Sequence, residues 1–438
     1  MANPEQLSTR CAIVGGGPAG MMLGMLLARA GVETIVLEKH ADFLRDFRGD
    51  TIHPSTLEIM HELGLLNDLL KLPHQEVDHL SVQVGDTEIP FADLTHLPTH
   101  CRFVAFMPQW DFLNFLSKKA AAYPEFDLRM EHEVTGLSRA DGRVQGVTVR
   151  TRQGIRTIEA DLTVACDGRH SIVRTESGLP LREIGAPVDV LWFRLSRRST
   201  DPAQSVVGNI NYGKALILLD RGDYFQAGLI IKKGSFAQIQ QEGLEALRST
   251  IAKIAPSVDD RVSEITGWNQ VKLLSVQINR LRRWYQAGLL CIGDAAHAMS
   301  PAFGVGINLA IQDAVAAANI LGLALSRGES VDPLLRQVQR RREFPTQATQ
   351  FLQTLAHRGL EYVFRQSGPM RPPLPLRIAV RIPGFQHAMA RVVGIGVRPE
   401  RVDARILSRR VPLARRIAAV CAGIAAGVTV AWRRSFAQ

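Results

Sequence analysis

Apolar and polar positions along the first forty residues alternate between short runs and glycine punctuation. Cys11-Ala-Ile-Val14 is a short apolar run bounded by a glycine cluster, which predicts a buried β-strand. Gly15-Gly-Gly-Pro-Ala-Gly20 follows, then an apolar segment from Met21 to Ala30 of helical length, ending at Gly31. Glu33 to Leu37 predicts a second strand, which stops at Glu38. The same punctuation returns twice. Ala160–Ala165 predicts a strand that runs into Cys166-Asp167-Gly168, and Gly288–Ile292 predicts one that runs into Gly293-Asp294. A helix is expected after Asn308, through Asp313. Between these units lie alternating or β-rich stretches: Ser81–Leu94, a predicted hairpin, then Val188–Leu195, Ala215–Leu219 and Tyr224–Ile231. Trp192 and Phe193 fall on opposite faces of their strand, so that one is expected to face a pocket or both to pack.

The first unit carries chemistry in its spacing. Gly15 permits a tight turn, Gly17 lets backbone approach a pyrophosphate, and Gly20 lets the helix pack closely on its strand. The helix start at Pro18 and Ala19 offers free N–H groups and a positive dipole end to a phosphate. Glu38, about 20 residues on, is placed to accept ribose hydroxyls. An acid at that strand end disfavours a 2′-phosphate and suits FAD or NAD, between which this unit alone does not choose.

Length and charge narrow the reading. A chain of 438 residues exceeds one small core and points to two or three structural units. The formal net charge is +10, but the segment from Arg365 to Gln438 holds 14 Arg against Glu400 and Asp403, or +12. The remainder is therefore near −2, from 10 − 12, and a global nucleic-acid surface loses its support. The five cysteines are widely separated and never spaced as CxxC, which fits a reducing cytoplasm. Residues Met1 to Arg10 are polar and lack the order of a signal peptide. No His, Cys and carboxylate cluster suggests a metal, and none is expected.

Three motifs taken together carry a family resemblance: GGGPAG at 15–20, CDGRHSIVR at 166–174, and GDAAHAMSPAFGVGINLAIQDA at 293–314. In this order the chain resembles the class A flavoprotein monooxygenases, the family of para-hydroxybenzoate hydroxylase, phenol hydroxylase and the ubiquinone-biosynthesis hydroxylases. The resemblance implies an α/β fold: a Rossmann-like FAD-binding domain, an inserted antiparallel-sheet substrate domain and a C-terminal helical segment. The implied division is 1–80, 98–180 and 287–360 for FAD, 81–97 and 181–286 for the substrate sheet, and 361–438 for a basic helical tail.

The resemblance also implies site residues. FAD is expected to contact Gly15, Gly17, Pro18, Ala19, Gly20, Glu38, Lys39, Arg48, Gln109, Asp167, Gly168, Gly293, Asp294, Pro301, Gly304, Gly306, Ile307 and Asn308. Asp294 is expected at the ribityl chain and Pro301 beside the isoalloxazine. The amides from Gly304 to Asn308 are expected to face the flavin edge that becomes anionic on reduction. Ser171 and Arg174 are expected to be scaffold, and His297 mostly local structure. Asp50, His53 and Pro301 are the catalytic candidates. Asp50 matches a substrate-side base in phenol hydroxylase-like members, although Ser55 stands where an Arg is common. The same Asp, just before an apolar helix, also reads as an N-cap.

The implied activity is NAD(P)H-driven hydroxylation of an aromatic (phenol-, quinol- or polyketide-like) substrate by O2 through a flavin C4a-hydroperoxide. NADPH or NADH is a transient donor, since no second GxGxxG appears. The alternatives are a FAD-dependent reductase or desaturase of an isoprenoid or other apolar substrate, and a non-catalytic flavin-binding membrane protein. A halogenase is disfavoured because no WxWxIP motif occurs. The expected form is a cytoplasmic monomer or homodimer with no nucleic-acid partner. In the tail, Ile417–Trp432 runs sixteen residues without a charge between arginine pairs. That is short for a membrane span, and it reads either as an interfacial helix or as one packed on the body.

Overall fold

A computed structural model describes residues 7–44, 51–199, 201 and 206–408. The chain begins with β1 (Leu7–Val14), α1 (Pro18–Arg29) and β2 (Thr34–Leu37). It continues through α2 (Pro54–Glu62), a hairpin of β3 (His79–Val84) and β4 (Thr87–Asp93), and α3 (Gln109–Ala120). Next come β5 (Phe126–Arg129), β6 (Glu133–Ala140), β7 (Arg143–Thr151) and β8 (Gly154–Ala165). A second group comprises β9 (Val188–Ser196), β10 (Val206–Asn211), β11 (Lys214–Asp220), β12 (Tyr224–Lys232), α4 (Leu244–Ile254) and β13 (Lys272–Ser275). The chain closes with β14 (Leu289–Cys291), α5 (Gly306–Ser326), α6 (Asp332–Val363) and α7 (Phe385–Ala390).

Five strands run parallel in the order β5-β2-β1-β8-β14. The last four residues of β1 are buried on both faces, as a central parallel strand requires. α1 is buried from Ala19 to Ala28 because α3 and α5 cover it on the side away from the sheet. The chain leaves β1 towards β2 and returns on the other side at β8. This reversal opens a crevice at the carboxyl end of β1, the place where open α/β sheets bind ligands.

The second sheet has the order β13-β9-β12-β11-β10-β3-β4 and is antiparallel except where β10 meets β3. Phe193, Phe225 and Leu229 pack under α4 with Leu247 and Ile251. Trp192 lies on the opposite face, against Gly228 and beside Leu360 and Phe364 at the end of α6. The β3–β4 hairpin thus belongs to the second sheet although it is embedded in the first unit's sequence.

Two elements differ from the sequence reading. β8 starts at Gly154, not Ala160, because its first half pairs with β7 in an antiparallel hairpin. α6 runs past the expected boundary at 360 to Val363, because its inner face stays buried at Gln353, His357 and Val363. The stretch Ala302–Ser326 is long and apolar enough to cross a membrane, but 78% of its apolar window is buried inside the protein, and it serves as a core helix. Ile417–Trp432 lies outside the described residues.

Candidate functional site

The three motif loops stand at the carboxyl ends of three neighbouring parallel strands, β1, β8 and β14. At Gly15, φ is +103° and an added Cβ would lie 2.5 Å from the carbonyl oxygen of Cys166. The tight turn after β1 therefore leans on the end of β8. Beyond it, α1 begins at Pro18 with no side chain capping it, and a Cβ on Gly17 would meet nothing within 4 Å. Free amides at a helix start beside open space form a phosphate cradle. Glu38 closes the end of β2: its Oε2 accepts from the Gly16 N–H at 3.0 Å and its Oε1 from the His40 N–H at 3.1 Å. Lys39 is exposed beside it.

In the second loop Asp167 accepts from the Val173 N–H at 3.3 Å through Oδ2, while its buried Oδ1 has no partner within the protein. Burial raises its pKa above the ordinary carboxylate value, against the pull of Ser171 and nearby amides. A buried acceptor left without a donor is expected where a ligand supplies one. Ser171 caps the short helix Ile172–Ser177 by accepting from the Arg174 N–H at 2.9 Å. The Arg174 guanidinium donates to the carbonyls of Arg169, Asp294 and Ala295, which stitches the second loop to the third.

In the third loop every residue from Cys291 to Ser300 is buried except Asp294, whose carboxylate projects outward with Arg169 3.7 Å away. Gly293 is held from behind, its N–H donating to Asp313 Oδ2 at 3.1 Å. His297 is buried and its Nε2 lies 2.6 Å from the same Asp313 oxygen, with the ring 4.9 Å from that of Trp284. Its position is behind the loop, which matches a structural role. Pro301 then leads into Phe303 and Gly304, both in the left-handed region at φ +65° and +63°. A Cβ on Gly304 would lie 2.4 Å from Thr51 Oγ1, and Thr51 donates to the Gly304 carbonyl at 2.9 Å. The Gly304 N–H donates to the Pro301 carbonyl at 3.0 Å, and α5 then starts at Gly306 without a side-chain cap, which leaves the amides from Val305 to Ile307 at an open helix start.

Asn308 joins this turn to the start of α2. Its Oδ1 accepts from the His53 N–H at 3.0 Å and from Thr56 Oγ1 at 2.7 Å. The His53 ring is buried, and its Nδ1 is 2.7 Å from the Val393 carbonyl, a bond in which the ring must donate. Burial lowers its pKa to about 4, against the opposing effect of that bond, so the imidazole is neutral at ordinary pH. It has no proton to give as an imidazolium, and only Nε2 is left as an acceptor. Gln109 is the first residue of α3, half-buried at the helix start. Arg48 and Asp50 lie outside the described residues.

Sequence reasoning missed the contributions of Thr51, Val393 and Arg342. Each acts on a partner in a different segment of the chain, and none carries a local motif. Arg342 sits in an unremarkable basic run on α6, yet it is fully buried and donates to Asp313 Oδ1 at 2.9 Å.

The residues fit FAD: two uncapped helix starts for anionic groups, an acid at the second strand, an outward carboxylate, and an unpartnered buried acceptor, all around one crevice. The comparisons with known proteins agree. The sequence matches the family described as FAD binding domain over residues 8–352. It is 30% identical over 388 residues to the 6-methylpretetramide 4-monooxygenase of Streptomyces rimosus, covering 88% of this chain and 92% of that protein. It is 26% identical over 315 residues to the dialkyldecalin synthase of Streptomyces rugosporus, covering 70% of this chain and 64% of that one. Its fold resembles that of the anhydrotetracycline hydroxylase of Streptomyces rimosus, with a TM-score of 0.69 and 22% identity over 89% of this chain and 76% of that one. With three motif loops at one sheet edge and this family match over most of its length, the chain belongs to the FAD-binding-domain family of class A, FAD-dependent aromatic monooxygenases.

Proposed function

We propose that the protein hydroxylates a phenol-, quinol- or polyketide-like aromatic substrate in the cytoplasm, with NADH or NADPH as reductant. The balance is ArH + O2 + NAD(P)H + H⁺ → ArOH + H2O + NAD(P)⁺. The observation that carries this reading is the convergence of the three motif loops at the ends of β1, β8 and β14. A relative named for the monooxygenation of 6-methylpretetramide supports an aromatic substrate.

FAD, when bound, supplies the redox chemistry, taking a hydride from NAD(P)H and activating O2. The chain's own residues bind, orient and shelter. Gly17 and the α1 amides hold the pyrophosphate, Glu38 accepts from the adenosine ribose, and Asp294 accepts from the ribityl hydroxyls. The amides at the start of α5 stabilise negative charge on the reduced ring's edge. Pro301 would help hold the ring, and His53 positions the Gly304–Asn308 turn through its own backbone N–H and its bond to Val393. The sheet face that bears Trp192 forms the roof of the substrate pocket. Asp50 accepts the ring hydroxyl proton, which raises electron density at the carbon to be oxygenated.

NAD(P)H oxidation screened across phenols, quinols and polyketides under ¹⁸O2 tests the function. The expected product gains one labelled oxygen atom. A product of unchanged mass, as an isomerising or cyclising enzyme would give, rejects hydroxylation. Asp50→Asn is expected to keep FAD and lose about 10²–10⁴-fold in product formation, the range for a general base. Unaltered turnover across the pH range would remove that role.

A further inference from the structure

A cluster of imidazoles lies away from the flavin crevice, where α7 crosses the end of β4. Asp93 is the last residue of β4 and its side chain is mostly covered. Its Oδ1 is fixed by Thr95, which donates from both N–H at 3.0 Å and Oγ1 at 2.6 Å. Its Oδ2 is left to two imidazoles: His387 Nε2 at 3.4 Å, from α7, and His96 Nε2 at 3.7 Å, from the loop after β4. The two rings are 4.4 Å apart and steeply inclined. A third imidazole, His79, brings Nε2 within 3.6 Å of Asp93 Oδ1, with its Nδ1 turned to Asp78 at 2.9 Å.

We propose that Asp93, His96 and His387 hold one divalent transition-metal ion of the zinc class. Three imidazoles around one carboxylate are poorly explained as ion pairs, because once two rings are protonated they repel each other. A single divalent cation satisfies the neutral rings and the carboxylate together. The ligand atoms of Asp93, His96 and His387 lie within 4.8 Å of one another. Metal bonds of about 2.0–2.2 Å to nitrogen and oxygen put neighbouring tetrahedral ligands little more than 3 Å apart. The His96 and His387 side chains are exposed, which leaves their rings room to turn towards a shared ion. The Thr95 bonds orient the carboxylate as outer-shell partners do in metal sites. The fourth position opens to solvent, next to His79.

Such an ion clips α7 onto the second sheet. Ala390, Val393 and Ile395 already share a buried cluster there with Leu80, Ala92, Leu94 and Leu97. The Val393 carbonyl of that same segment holds the His53 ring. The sequence hid the site because His387 is remote from Asp93 and only His96 stands near it, at i+3.

The test uses the full-length, FAD-loaded protein, stripped with a chelator, desalted and titrated with zinc chloride in a calorimeter. Cobalt(II) serves as a second probe, read at wavelengths longer than the flavin's absorption. The expected result is saturable binding of one ion per chain, with a tetrahedral cobalt band. His96→Ala and His387→Ala lie on separate exposed segments, and each is expected to weaken binding at least about tenfold. His61→Ala, from a separate surface pair in which His61 stacks on His100, is expected to leave binding unchanged. Absence of saturable uptake by the wild-type protein would overturn the proposal, as would uptake that survives both variants.

Discussion

Arg342→Met is expected to destabilise the protein by about 3–5 kcal/mol, the usual cost of removing one partner of a buried ion pair. The guanidinium is fully buried on α6 and donates to Asp313 at 2.9 Å, Glu400 at 3.2 Å, the Arg398 carbonyl at 3.3 Å and Gln312 at 3.4 Å. Arg341 donates to the same Glu400 oxygen at 2.8 Å, so two cations offset two carboxylates. Burial alone would raise the Asp313 pKa, but His297 and Arg342 together hold it below the ordinary value. A depressed carboxylate contributes stability above its unfolded pKa of ~3.9 and loses it as pH falls through the folded value. With Arg342 gone, one of the two groups that depress the Asp313 pKa is lost, and the pKa moves upward from its wild-type position. The folded variant then holds the Asp313 proton to higher pH than the folded wild type does, so its deficit against the wild type should narrow as pH is lowered from 7 into the carboxylate range. Denaturant midpoints of both proteins across that range check the sign. A deficit that is small, or that widens in acid, would show that the network is not under the strain inferred. The same substitution should loosen FAD, because Asp313 is also the acceptor for the Gly293 N–H behind Asp294.

How much of this was legible depended on where the partners lie in the chain. β1, α1 and β2 were readable because each is fixed by neighbours within a few residues: apolar run, glycines, apolar run, acid. The motif loops were readable for the same reason, and the parallel order of β1, β8 and β14 then brings them to one edge without further information. Gln109 at the start of α3 follows from its local sequence. The ring environment of His53 was not readable, since its acceptor is a backbone carbonyl on a segment that carries no motif. Nor was Arg342, since basic runs on helices are usually solvated and nothing nearby marks one of them as buried. The Asp93 cluster is the same case: only the fold carries His387 to the end of β4. The division of Trp192 and Phe193 between two faces was fixed by strand periodicity, but which face meets α4 was settled only by packing.

Glu38→Arg is expected to yield a folded protein that purifies colourless and binds added FAD at least about 10²-fold more weakly. The carboxylate does two things at once. Its oxygens hold the Gly16 and His40 N–H groups, which sets the shape of the phosphate turn, and the same carboxylate is the acceptor proposed for the ribose. Hydrogen bonds to a charged acceptor contribute about 1.5–3 kcal/mol each, and two of them correspond to roughly 10²–10⁴ in affinity. A guanidinium has donors only and cannot replace either function. Its bulk also falls where space is short, because a Cβ on Gly16 would already be 3.1 Å from the Glu38 Cβ. Asp294→Ala should cost less, about 10–10²-fold, since it removes a single partly exposed acceptor and leaves the turn after β1 intact. Fluorescence titration of the apoproteins with FAD ranks the three, with far-UV circular dichroism confirming the fold. Glu38→Asp should fall between wild type and Glu38→Arg, because it keeps the charge and shortens the reach. If Glu38→Arg binds FAD as tightly as the wild type, the acid is not at the ribose, and the Asp167 loop, whose buried Oδ1 has no partner within the protein, becomes the next candidate to hold the adenosine.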